Sequence, residues 1–383
     1  MNFLPYKIKI GVLGAGQLGK MMAQAASRLD LELRFLDKSK NYPAGKISNH
    51  FTEGDFNDFQ TVVDFGSDMD VLTIEIEHVN IEALEFLEKK GVKVYPQSSV
   101  LKIIQDKAIQ KQFILGQGFP TAPFHMFNDT DSIFNMQRAG NLKFPFVQKS
   151  RTGGYDGKGV QIIRTVEDMG RLLEGSSIIE HMADIEKEIS VIAVRNSKGE
   201  CLSYPAVSMD FHPEANLVEF LTCPAEIPIK IEDAARMYAE ALANAMNIVG
   251  LLAVEMFYNK DGRLWINEMA PRPHNSGHHS LDNGSTDQFE NHIRAILDLP
   301  LGSTKPFAPA IMLNILGEEG FSGKALYTGL EQCLEIEGVH VHLYGKEETR
   351  PFRKMGHITI IGTDLAECKD KASIIKKHLK VIA

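Results

Sequence analysis

Two glutamates in this sequence are spaced so that they would face each other across a β-hairpin. The stretch "LLAVEMFYNKDGRLWINEM", residues 251–269, reads as two strands joined at Asp261-Gly262, a dipeptide that favours a two-residue hairpin turn. A turn pairing Lys260 with Arg263 sets Glu255 directly opposite Glu268, with Val254, Met256, Asn267 and Met269 as their chain neighbours. Like charges directly opposite on a sheet repel. A hard cation with oxygen ligands would reconcile them; solvation of the pair or a different register would also remove the conflict. Magnesium held by one or two carboxylates commonly completes its shell with nucleotide phosphates, so the metal reading calls for a nucleotide nearby.

Two glycine-rich stretches could receive phosphate. "TGGYDGKG", Thr152–Gly159, holds four glycines in eight residues. It does not fit the P-loop pattern: Gly153 to Gly157-Lys158 is one residue short, and Gly159 stands where Ser or Thr would ligate magnesium. A loop supplying N–H groups and lysines beside a carboxylate-held magnesium makes an ATP site of a non-Walker kind. "GAGQLG", Gly14–Gly19, matches G-x-G-x-x-G between an apolar strand and a helix, and Asp37 ends the next strand. That spacing suits a dinucleotide. The same glycines also serve any phosphate at a helix N-terminus, or a tight turn without a ligand.

The elements that must position these motifs belong to an ordinary globular chain. It has 383 residues, 44% hydrophobic and 24% charged, enough for two or three domains with sizeable cores. Its formal net charge of -9 excludes a chain-wide basic field for nucleic acid and leaves room for a local basic pocket. Cys201, Cys223, Cys333 and Cys368 form no close-spaced pair, as expected of free thiols in a reducing cytoplasm. The N-terminal "MNFLPYKIKIGVLGAG" lacks the features of a signal peptide, and no apolar run approaches the roughly 18 residues of a membrane span. A cytoplasmic protein is expected, with no membrane partner.

The first hundred or so residues alternate strands ("IKIGVLG", "LELRFLD", "DVLTIEIE") with helices ("QLGKMMAQAASRL", "NIEALEFLEKKG"), the pattern of a parallel sheet covered on both faces. Helical spacing picks Leu18, Met21, Met22, Ala25 and Leu29 as the buried stripe of the first helix. "LKIIQDKAIQKQFILGQGFPTAPF" reads as one helix followed by a Gly/Pro break. From about Phe144 to Met269 short strands dominate, interrupted by the helix "EDAARMYAEALANAMN". This is α+β patterning, and a smaller region with a final helix follows it.

The motifs taken together resemble the ATP-grasp ligases, and within them the N5-carboxyaminoimidazole ribonucleotide synthetase family. The carriers are "GAGQLGKMM", "TIEIEHV", "IQDK", "KSRTGGYDGKG", "INEMAPRPHNSGH" and "YGKEETRPFRKMGHITI", spread in order over nearly the whole chain. The resemblance implies a mixed α/β and α+β fold of three domains. They are an N-terminal parallel-sheet domain (1–105), an ATP-grasp domain (106–298) with a lid over about residues 120–185, and a small C-terminal domain (299–383).

It further implies ATP, magnesium and bicarbonate as reactants or cofactors, aminoimidazole ribonucleotide as substrate, and a homodimer. Lys107, Lys149 and the loop Gly154, Tyr155, Asp156, Gly157, Lys158, Gly159 and Val160 would meet the ATP phosphates. Glu180, His181, Met182 and Ala183 would meet adenine and Glu188 the ribose, with His212 and Asn267 as further nucleotide contacts. Glu255 and Glu268 would hold magnesium. Gly16, Gln17, Leu18, Lys346 and Arg353 would bind the substrate phosphate. Glu75, Tyr155, Asp156, Asn275 and Ser276 would approach its remainder. Arg272, His274 and Lys354 would lie at the reaction centre.

The chain departs from the family around His212, where Met209-Asp210 and Leu217-Val218 stand, and at Lys107, where some members carry Arg. Simple strand alternation points Asn267 away from the face shared by Glu255 and Glu268. Alternative readings are a formate-dependent glycinamide ribonucleotide transformylase of the same fold and an NAD-dependent oxidoreductase resting on "GAGQLG" and Asp37. A zinc cluster at His274, His278 and His279 and a merely solvated charge run at "KEETRPFRK" are others.

Overall fold

The computed structural model describes residues 7–154, 159–211 and 217–383. The expected contacts at Tyr155, Asp156, Gly157, Lys158 and His212 therefore lie outside the described residues.

The N-terminal sheet is five-stranded and parallel, in the order Phe51–Glu53, Leu33–Asp37, Ile10–Leu13, Val71–Ile74, Lys93–Val94. Its central strands are buried throughout, as near-continuous apolar runs require. The helix Gln17–Ser27 buries Leu18, Met21, Met22, Ala25 and Ala26 against one face; Leu29 lies beyond the helix end and packs on the same core. That core also takes Val249, Phe289, Ile293 and Tyr344, so residues distant in sequence seal the N-terminal sheet. Its other face packs the helices Phe59–Gly66 and Ile81–Lys89.

The expected single helix from Leu101 is in fact two, Ser98–Ile104 and Lys107–Gly116. Asp106 causes the break. Its carboxylate caps the second helix by accepting from Ala108 N and Ile109 N, and Arg151 Nε grips both its oxygens at 3.1 Å. A cap of this kind competes with continued helix.

A four-stranded antiparallel sheet follows, in the order Phe124–Phe127, Ser177–His181, Phe146–Ser150, Val160–Ile163. The largest sheet has nine strands. It runs Leu264–Ala270, Gly250–Asn259, Ile185–Arg195, Val207–Phe211, Val218–Cys223, Ala310–Leu316, Lys354–Ile361, Val339–Leu343, with Cys201–Ser203 beside Ile185–Arg195. The ladder between Val218–Cys223 and Ala310–Leu316 carries this sheet across the expected 298/299 boundary. All four cysteines are free thiols, and no helix among the described residues is long and apolar enough to cross a membrane.

Candidate active site

The hairpin places Glu255 opposite Glu268, but by a route other than the expected two-residue turn. Asn259 N donates to Arg263 O at 2.9 Å and Gly262 N to Asn259 O at 2.9 Å. Lys260-Asp261-Gly262 is thus a three-residue loop with Gly262 at φ +83, the left-handed position such loops require. The strands leave the loop one register step from the expected one: Tyr258 faces Leu264 and Met256 faces Ile266. A bulge between Glu255 and Met256 absorbs that step and restores the Glu255–Glu268 pair. Asn267 is the extra residue. A bulge re-aims the side chains around it, and Asn267 Oδ1 accepts from Lys149 Nζ at 2.8 Å.

Three lysines gather at Glu268, Asn267 and Glu180. Lys107 opens its helix and Lys111 lies one turn further along the same face. Lys107 Nζ donates to Glu268 Oε2 at 2.6 Å. Lys111 Nζ lies 2.9 Å from Glu180 Oε1 and donates to Thr121 Oγ1 at 2.6 Å. Lys149 Nζ lies 2.9 Å from Glu180 Oε2.

Charge follows this geometry. Burial works to raise the Glu180 carboxyl, but Lys149 and Lys111 overcome it and hold it at about 2. Burial brings Lys111 down to about 8 against the pull of Glu180. Burial, then the charges of Glu268 and Glu188, push Glu255 upward, whereas the Lys107 charge holds Glu268 down. Burial also lifts Glu188 to about 7. A carboxylate pushed up by two other carboxylates is a position that an added cation would relieve. This donor set fits a divalent metal completed by phosphate oxygens. Among the described residues no group of three or more His, Cys, Asp or Glu is arranged to hold a metal by itself.

The strand Leu264–Ala270 runs into the loop of Arg272 and His274 and then the short 3-10 helix Asn275–Leu281. Arg272 forks onto Glu77, with Nη2 at 3.1 Å from Oε1. Burial opposes ionisation of Glu77, yet the Arg272 charge holds it at about 2. His274 Nε2 stands 3.6 Å from Glu255 Oε1. Burial, with the charges of Arg272 and Lys354, lowers the His274 ring to about 3, so it is neutral. Asn275 Nδ2 is buried with no hydrogen-bond partner among the described residues. Ser276, expected to approach substrate, is 2% exposed; its hydroxyl is turned inward, 2.9 Å from both His274 Nδ1 and Ser190 Oγ. His278 and His279 are buried and pack in the core, His278 against Phe289 and His357.

In the N-terminal glycine loop Glu75 occupies part of the expected phosphate cradle. Gly16 N donates to Glu75 Oε1 at 2.7 Å, and Gly19 N donates to Oε2. A Cβ at position 16 would sit 2.1 Å from Glu75 Oε1, so a side chain there would push the carboxylate off the loop. Burial raises Glu75 to about 7 against those two N–H groups. Asp37 is also spoken for: its Oδ2 accepts from Ala15 N at 2.7 Å and its Oδ1 from Lys38 N at 2.7 Å. A dinucleotide-binding acid must face a ribose hydroxyl; this one holds its own backbone. Lys20, on the first helix, donates to Leu343 O at 2.9 Å, Lys46 to Gly345 O at 3.0 Å and Lys346 to Lys354 O at 2.7 Å. These bonds gather basic side chains where the N-terminal and C-terminal parts meet. Arg353 Nη1 donates to Glu348 O at 2.6 Å.

Comparison with known proteins agrees with this arrangement. Family models match over residues 7–105 (ribonucleotide synthetase preATP-grasp domain), 112–289 (ATP-grasp domain) and 310–371 (phosphoribosylaminoimidazole carboxylase C-terminal domain). The N5-carboxyaminoimidazole ribonucleotide synthase of Bacillus subtilis is 37% identical, over 92% of this chain and 91% of that protein. The chain belongs to the N5-carboxyaminoimidazole ribonucleotide synthase family of ATP-grasp ligases. The phosphoribosylaminoimidazole carboxylase of Saccharomyces cerevisiae is 40% identical over 96% of this chain. The chain spans only 66% of the length of that relative. A crystal structure of the Aspergillus clavatus synthase, in complex with ADP and 5-aminoimidazole ribonucleotide, superposes with a TM-score of 0.88. It is 31% identical and covers 98% of this chain and 99% of that one.

Within this synthase-family site, sequence reasoning missed four residues. Lys111 reads as an exposed helix lysine in "KAIQKQ", and its burial follows only from the packed position of its helix. Glu77 is 195 residues from its partner Arg272. Ser190 reads as an ordinary strand residue. Lys20 follows the glycine motif directly, and that adjacency was the available signal.

Proposed function

We propose that this chain uses ATP and bicarbonate to carboxylate 5-aminoimidazole ribonucleotide, giving N5-carboxyaminoimidazole ribonucleotide, ADP and phosphate. The observation that carries this reading is the meeting of Glu255 and Glu268, the lysines around them and the Arg272–His274 loop at one hairpin. The names and bound ligands of the related enzymes support it. A homodimer in the cytoplasm is the proposed setting.

The proposed nucleotide site takes the triphosphate against Lys107, Lys149, Gly154, Gly159 and Val160. Adenine lies along Glu180 to Ala183 and ribose near Glu188. The Glu180 carboxylate serves by fixing the lysines, which leaves Met182 and Ala183, past the strand end, closest to a base. Glu255 and Glu268 would hold magnesium, which neutralises phosphate charge when bound. On the substrate side Gln17, Leu18, Lys346 and Arg353 remain for the ribonucleotide phosphate, with Lys20 added. Asn275 is left for the rest of that molecule, and Glu75 would exchange the Gly16 and Gly19 amides for it.

A bicarbonate oxygen attacks the γ-phosphorus, the bond to ADP breaks, and carboxyphosphate forms. The exocyclic amine of the ribonucleotide then attacks the carboxyl carbon. The carbon–oxygen bond to phosphate breaks, and the amine gives up a proton. Phosphoryl transfer asks of the protein chiefly positioning and charge neutralisation. Lys107 and Lys149, pre-placed on Glu268 and Asn267, are within reach to exchange those acceptors for phosphate oxygens. Arg272 offers a planar fork to the anionic carboxyl group, pre-oriented by Glu77.

Purified protein given ATP, magnesium and bicarbonate tests the reading through ADP release. Release should depend on added 5-aminoimidazole ribonucleotide. Release indifferent to that compound would sink the proposal.

A further inference from the structure

His274 is held from behind by a short hydrogen-bonded chain. It is the N-cap of the 3-10 helix Asn275–Leu281, and its Nδ1 accepts from the backbone N–H of Ser276 at 3.3 Å. An amide N–H can only donate. The lone pair therefore sits on Nδ1, and the neutral ring carries its single proton on Nε2, the nitrogen facing Glu255.

That one amide fixes two hydroxyls that would otherwise be ambiguous. Ser276 Oγ, 2.9 Å from Nδ1, must donate to it. Its lone pair then accepts from Ser190 Oγ at 2.9 Å. Ser190 is 1% exposed and Ser276 2%, so neither hydroxyl has bulk water as an alternative partner. Ser190 stands directly across from Glu255 in the neighbouring strand. The strand that flanks the carboxylate hairpin thus also supplies the outer anchor of the histidine. The backbone of His274 is pinned as well: its N–H donates to Gln288 Oε1 at 2.9 Å and its carbonyl accepts from Gln288 Nε2 at 2.8 Å.

We propose that the Ser276 amide locks His274 in the Nε2–H tautomer and that the Ser276 and Ser190 hydroxyls are positioning groups that hold the ring in place, so that it meets the bicarbonate-derived anion as a neutral hydrogen-bond donor and not as a base. The nature of that anion rests on the function proposed above; the tautomer does not. A donor of fixed direction, aimed at an oxygen that gains charge, stabilises a transition state without reorganising. An Nδ1–H ring would point a lone pair at the same oxygen.

Nitrogen-15 NMR of histidine-labelled protein reads the tautomer directly. The His274 resonances are assigned by their loss in His274→Asn. Without substrate and near neutral pH, His274 should be the Nε2–H form. In Ser276→Ala the amide remains, so the Nε2–H form should persist while the ring loses its hydroxyl anchor. kcat for carboxylation should fall roughly 10- to 100-fold, the range found when the outer partner of a metal-bound histidine is removed, with KM for ATP changed by less than about two-fold. Ser276→Thr keeps the hydroxyl and should restore kcat. Ser190→Ala should lower kcat in the same way by less.

Wild-type His274 found as Nδ1–H overturns the proposal. So does a Ser276→Ala protein with kcat unchanged. Should that variant fail to fold, the wild-type spectrum and Ser190→Ala decide. An Nε2–H ring in a protein without carboxylase activity would overturn the proposed function and uphold the positioning of His274.

Discussion

Glu268 is the residue on which the proposed chemistry turns. It faces Glu255 across the hairpin and holds Lys107, which places it between the proposed metal and the proposed phosphate side. Glu268→Gln keeps shape and removes charge; it should lower kcat by roughly 100- to 1000-fold with the thermal transition nearly unmoved. Near-normal turnover in that variant would refute the magnesium role. The hairpin was legible in the sequence from its alternating apolar residues and Asp261-Gly262, but the Glu255–Glu268 pair holds only because the bulge cancels the one-step error of the expected two-residue turn. Asn267 was not legible. A bulge depends on how a whole ladder settles, and no local residue type signals it. Strand alternation alone sends Asn267 to the wrong face. Its bond to Lys149 exists because the bulge re-aims it.

At the scale of elements, the break at Asp106 does the positioning. A continuous helix would carry Lys107 and Lys111 past the hairpin; a fresh N-cap starts a new helix whose first turns face Glu268 and Glu180. Asp106→Ala removes the cap and the Arg151 ion pair together. It should cost about 1 to 2 kcal/mol of stability, measured by denaturant unfolding, and raise KM for ATP. Asp106→Asn, which keeps a capping oxygen, should recover most of the stability. An unchanged KM in the alanine variant would mean that the start of this helix does not place Lys107. Aspartate before an apolar-periodic run is a recognised helix start, so the signal was present. The strong helix formers on either side hid it.

The whole molecule is closed by contacts between distant segments: Arg272 on Glu77, Thr73 on His292, Lys20 on Leu343. Composition and periodicity delivered the parallel sheet and the strand-rich middle, whereas these closures lie between segments whose sequences do not mention each other. Two of the buried ion pairs make acid stability a global readout. Glu77 and Glu180 are held at about 2, from an ordinary 4.5, despite burial. A depressed carboxylate stabilises the fold above its unfolded value, and that contribution disappears as pH falls from about 4.5 towards 2. Unfolding free energy should drop steeply across that window. Glu180→Gln should flatten part of the drop, and an identical slope in that variant would remove Glu180 from the explanation.

The proposed function turns on a single event, transfer of the γ-phosphoryl group to bicarbonate. Oxygen-18 bicarbonate follows that event atom by atom. With ATP, magnesium and 5-aminoimidazole ribonucleotide, the phosphate released should carry one oxygen-18 from bicarbonate. Phosphate whose added oxygen comes only from water would contradict the carboxyphosphate route.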